Sequence, residues 1–178
     1  MAEAFSNKVQ RAAGIVTSMT GGSIGINTNL ITGISTTNVA VNDLVDNGNY
    51  LLGTKVTVIG VSSVTCDRDS TNDTAATAQN VKFLGPTTAY TSTSTKSILV
   101  GGTFCNNTGN SVNLTIQVWD NSVSTEVALA GKIPVPNGSS FVITDAGKTV
   151  LETSDEVRIY CDTNNAIDAT LSILTGVS

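Results

Sequence analysis

Histidine is missing from all 178 residues. Its absence removes the usual general base, the Ser-His and Cys-His dyads and the commonest metal ligand together, which excludes most hydrolase chemistry and sets the expectation of a non-enzyme. Cysteine is scarce: Cys66, Cys105 and Cys161 fit neither a zinc-ligand spacing nor a secreted disulfide framework. No Lys or Arg adjoins any of them to favour a thiolate, so they read as small buried apolar residues. Charge is thin as well. Only 13% of residues are charged, against about 25% in an average soluble protein, and the nine basic ones are scattered from Lys8 to Arg158. Without a concentrated basic surface to neutralise phosphates, a nucleic-acid partner is not expected. No apolar run approaches the ~20 residues that span a bilayer, so no membrane partner is expected either. The opening MAEAFSNKVQRAAG lacks the apolar core of a secretion signal, which points to synthesis in the cytoplasm. Aromatics are 4% of the chain, leaving Trp119, Tyr50, Tyr90 and Tyr160 as a meagre supply of sugar-stacking platforms.

Hydroxyls and amides fill the gap. Ser, Thr and Asn make up roughly a third of the residues, a bias that suits pleated strands and tight turns rather than helices. The fold class expected is all-β, in three parts: a short N-terminal arm over residues 1–14, a β-rich module over 15–86 (a small barrel or sandwich), and an antiparallel β-sandwich over 87–178, jelly-roll or Ig-like. The arm is small and polar, with Phe5 and Val9 as isolated apolar anchors and room for a short helix from Asn7 to Ala13. In the first module GTKVTVIGVSSVTCDRD reads as a strand, a turn at Ser62 and Ser63, and a second strand, while STNDTAATAQ reads as a polar surface loop. Gly85-Pro86 marks the boundary, and the hydroxyl-rich TAYTSTSTKS that follows is a linker or an exposed edge strand.

Beyond the boundary the alternation sharpens. SVNLTIQVWD puts Val112, Leu114, Ile116 and Val118 on one face and Asn113, Thr115, Gln117 and Trp119 on the other. EVRIYC turns Val157, Ile159 and Cys161 inward, and IDATLSIL does the same with Ile167, Ala169, Leu171 and Ile173. With ILVGGTF, TEVALAG, SSFVIT and KTVLE these segments give about seven strands at the spacing of a small sandwich. Pro134 and Pro136 place KIPVP at an edge or a crossing between sheets.

Few residues carry chemistry. Asp43 with Asp46, and Asp155 with Glu156, are the carboxylate pairs available for acid and base roles. Asp67, Asp69 and Asp73 lie in one polar run that suits a weak calcium site, though it lacks the glycine and distal glutamate of an EF-hand loop; a solvated turn is the favoured alternative. No catalytic residue and no cofactor are expected. Trp119, on the outward face of its strand, is a candidate interface or ligand shelf, and Phe5 and Val9 are candidate interface anchors.

The stretch ITGISTTNVAVNDLVDNGNYLLGTKVTVIGVSSVTCDRDSTNDTAATAQNVKF resembles a strand-turn-strand unit of tailed-phage structural and fibre proteins. The stretch from ILVGGTFCNNTGNSVNLTIQVWD through DATLSIL is similar to small β modules of marine cyanophage virions. Together they cover most of the chain from Ile31 onward. The resemblance implies a virion structural protein: a capsid decoration or cement protein that binds the major capsid protein and sister copies, with a trimer as the natural guess. A neck or tail component, fibre or adaptor, is the alternative within that class. A carbohydrate-binding module for host adhesion, using Trp119, is the alternative outside it.

Overall fold

The computed structural model describes residues 3–177, apart from the side chains of residues 145–148. It is all-β, with fourteen strands and no helix among the described residues. The chain divides into two compact units. One comprises residues 1–14 and 87–178, the other residues 15–86, so in sequence the second interrupts the first.

The larger unit contains β1 (Ala4–Ala13), β8 (Thr87–Thr91), β9 (Lys96–Asn106), β10 (Val112–Asp120), β11 (Thr125–Val135), β12 (Ser140–Glu152), β13 (Glu156–Cys161) and β14 (Ile167–Thr175). They form two antiparallel four-stranded sheets, ordered β1-β14-β9-β12 and β11-β10-β13-β8. Numbered within the unit, the sheets run 1-8-3-6 and 5-4-7-2. That is the strand order of a jelly roll, in which two Greek keys wrap one core. The core follows from the alternation: Leu114, Ile116, Val157, Ile159, Ile167, Leu171 and Ile173 are buried between the sheets, joined by Phe104 and Leu151. Each such side chain contributes about 1.5–3 kcal/mol of burial free energy.

Residues 3–14 differ from expectation. They form neither an arm nor a helix: β1 is the first strand of the jelly roll, paired with β14 from Ala4↔Thr175 to Gln10↔Ala169. Ala13, at its end, lies wholly inside the core. Thinly spread apolar residues disguise β1 because it is an edge strand whose inner face carries Ser6, Lys8 and Gln10. Gly14 ends it at φ +124°, where a Cβ would stand 2.3 Å from the carbonyl oxygen of Thr163. Only glycine fits there.

Other local readings shift. SSFVIT and KTVLE are one long strand, β12, whose register slips between Thr144 and Thr149. The hydroxyl-rich tract supplies β8, an edge strand, and Pro134 sits in β11, the opposite edge of the same sheet.

The smaller unit contains β2 (Ile15–Ile24), β3 (Leu30–Thr32), β4 (Leu44–Asp46), β5 (Val56–Ile59), β6 (Ser63–Cys66) and β7 (Ala76–Gly85), in one sheet ordered β4-β7-β2-β3-β6-β5. A bridge between Leu44 and Lys55 joins the two ends, with Val45 N–H donating to Thr54 O at 2.8 Å and Val56 N–H to Asp43 O at 3.0 Å. The sheet therefore closes into a six-stranded barrel and leaves no free edge there. Its core holds Ile24, Ile31, Val64, Val81 and Phe83. The STNDTAATAQ stretch is less superficial than its composition implies. Its end belongs to β7, and Ser70 is buried, accepting from Thr28 N–H and donating to Gly25 O.

Candidate functional site

The solvent face of the β1-β14-β9-β12 sheet carries exposed apolar residues that strand register brings into line. Register aligns Phe5, Leu174, Ile98 and Val150 in one row across all four strands. Phe5 is 64% exposed and Val150 52%, with Ile98 and Leu174 half-buried between them. A second row aligns Val9, Thr170, Thr103 and Val142, with Val9 77% and Val142 49% exposed. Between the rows lie Asn7 and Ser172, whose hydroxyl donates to Asn7 Oδ1. An exposed apolar row across four strands, flanked by hydroxyls, an amide and two further exposed valines, marks a surface that gains by being covered. The two anchors expected from sequence, Phe5 and Val9, thus stand at the β1 ends of the two rows. Leu174, Ile98, Val142 and Val150 escaped the sequence reading because only strand register brings them together. Their trace in the text is the unbroken ILV and FVI triplets, which put apolar residues on both faces of a strand.

Trp119 belongs to the other sheet. It faces Glu156 on β13 and Glu126 on β11, and the Arg158 guanidinium lies over its ring, 4.5 Å from the centroid. Arg158 also donates from Nη1 to Glu126 and from Nε to Glu156 at 2.7 Å. Glu126 is wholly buried along its side chain and also accepts from the Tyr160 hydroxyl at 3.0 Å. Burial, and then the Glu126 charge, push the Tyr160 phenol well above its ordinary range. Burial alone would lower the Arg158 pKa, but the hydrogen bonds and charges of Glu156 and Glu126 outweigh it and raise it. One face of the indole is therefore already occupied by a cation held on two carboxylates. Gln117, opposite Arg158, is buried with its side-chain oxygen unpaired among the described residues.

The remaining candidates serve local structure. Asp43 accepts from Ala40 N–H at 2.8 Å, and burial raises its pKa. Asp155 accepts from Asn121 and Glu152 N–H, tying two turns together. Asp67 accepts from Lys55 N–H. Asp67, Asp69 and Asp73 do not converge, and no three His, Cys, Asp or Glu residues gather as a metal site among the described residues. Cys66 and Cys161 are buried, whereas Cys105 is only half-buried. Burial, with the Asp67 charge adding to it, pushes the Cys66 thiol up to about 12. On the barrel, Val61 is 98% exposed at the tip of the β5–β6 hairpin, a second apolar point that sequence reading passed over.

No family model, no curated protein and no solved structure matches this chain.

Proposed function

We propose that the chain is a non-enzymatic structural protein of a tailed-phage virion, a decoration or cement protein that binds the shell and sister copies through the β1-β14-β9-β12 face. The observation that carries this reading is the apolar row Phe5, Leu174, Ile98 and Val150 across all four strands of that sheet, with exposed Val9 and Val142 on its two outer strands beside it. Covering Phe5, Val9, Val142 and Val150 gains about 1 kcal/mol or more for each side chain, a total suited to a protein that works in contact with others. Jelly rolls recur in virus shells, and the two stretches from Ile31 onward resemble virion modules; both are supporting analogies. Mass spectrometry of purified particles tests the reading. The chain is expected at stoichiometric copy number, and its confinement to the soluble lysate would end the proposal. A neck or tail position within the virion is distinguished from the shell by where the density lies.

A second reading is a carbohydrate-binding module for host adhesion. It is favoured by Trp119, half-buried on the outer face of β10, where a sugar ring could pack against the indole. A glycan array decides it: binding that Trp119→Ala abolishes supports adhesion, and no binding by the parent chain excludes it.

A further inference from the structure

The free side of β1 is a ten-residue edge with no proline, and its pairing with β14 is unbroken from Ala4 to Gln10. An edge so long normally carries guards against pairing with another strand, and here the only inward-facing charge is Lys8. We propose that two copies of the chain join along β1, antiparallel about a two-fold axis at Asn7, extending two four-stranded sheets into one of eight. The inference rests on the reading of the chain as an assembly protein but not on any position in a virion.

The register follows from the side chains. A continuous sheet keeps outer faces together, so facing residues must share parity. With the axis at Asn7, Phe5 faces Val9 of the second copy, Glu3 faces Arg11, and Ala4 faces Gln10. Neither Glu3 nor Arg11 has an ion-pair partner among the described residues. Moving the axis to Lys8 sets Lys8 against itself and Phe5 against Arg11. Moving it to Ser6 sets Glu3 against Val9. The Asn7 register alone matches charge to opposite charge and apolar to apolar, and it makes the Val150-Ile98-Leu174-Phe5 row of one copy run into the Val9-Thr170-Thr103-Val142 row of the other. Lys8 opposes the contact weakly, because its symmetry mate lies diagonally across. The result is an isologous two-fold contact in place of the three-fold one expected for a shell module.

Sedimentation equilibrium of the full chain, with charge reversals, tests this. The parent is expected to be a dimer at high concentration that dissociates on dilution. Glu3→Arg and Arg11→Glu should each weaken it roughly tenfold, the double reversal should restore it to within about threefold, and Lys8→Ser should strengthen it. In a Cys105→Ser background, Asn7→Cys should form a disulfide-linked dimer on oxidation, because facing Cα atoms about 4.5–5.5 Å apart lie in disulfide range. Ala4→Cys, which faces Gln10, should not. A monomer at all concentrations, a dimer indifferent to the single reversals, or equal cross-linking at both cysteines would overturn the pairing. A monomer still found in purified particles overturns the pairing alone, and a β1 dimer absent from particles overturns the virion reading alone.

Discussion

Arg158 lies over the indole of Trp119, its guanidinium carbon 4.5 Å from the ring centroid, while the same guanidinium binds the buried carboxylate of Glu126. The indole is thus a lid on an ion cluster as well as a surface group. Replacing Arg158 with Met keeps the stem but removes the guanidinium that Glu126 binds, at a cost of about 3 kcal/mol. Pairing that change with Glu126→Gln should recover most of the loss, because the stranded charge is removed as well. Urea denaturation of the parent chain and the two variants measures both effects.

Removing residues 1–12 separates a dispensable arm from a strand. An arm could be lost with stability unchanged. As β1 covers the edge of β14 and leads Ala13 into the core, the truncation should remove a large part of the roughly 5–15 kcal/mol typical of a domain. Loss of a cooperative thermal transition for the jelly roll is the expected result.

The three thiols should react in a fixed order. Cys105 is half-buried, whereas Cys66 and Cys161 are buried and Cys66 keeps its proton far above neutrality. Iodoacetamide at pH 8 should modify Cys105 in the native protein and the other two only after unfolding. Peptide mass spectrometry reads the order directly.

Asp43 gives the barrel a pH dependence of defined sign. Burial raises its folded pKa above the ordinary 3.8, so the folded state holds the proton more tightly than the unfolded one. This carboxyl's contribution is most favourable below pH 3.8 and declines as pH rises through the folded pKa, after which it is constant. Asp43→Asn, which can still accept from Ala40 N–H, should therefore raise the unfolding midpoint at neutral pH and change it less in acid. Thermal melts of both proteins across pH 3–8 check the difference.

How far the text alone reached depends on where each residue sits. Central strands announced themselves: Val157, Ile159 and Cys161, and Ile167, Ala169, Leu171 and Ile173, alternate because one face is core, and these seven are buried. β1 did not, since an edge strand needs little apolar content and Ser6, Lys8 and Gln10 break its pattern. The outward positions Thr115, Gln117 and Tyr160 were expected to meet solvent, yet they are buried. Period-two alternation reports which face a residue is on and not what covers that face. The apolar rows through Phe5 and Val9 depend on pairings between residues as far apart as Phe5 and Leu174, and register of that range is not written in local sequence.

The proposed function requires that another protein cover the β1-β14-β9-β12 face in the assembled particle. Cryo-electron microscopy of the particles tests it most directly. Density for a jelly roll and a six-stranded barrel bound to the virion is expected, with Phe5, Val9, Val142 and Val150 in contact with another protein chain. Particles in which those four side chains all face solvent would contradict it.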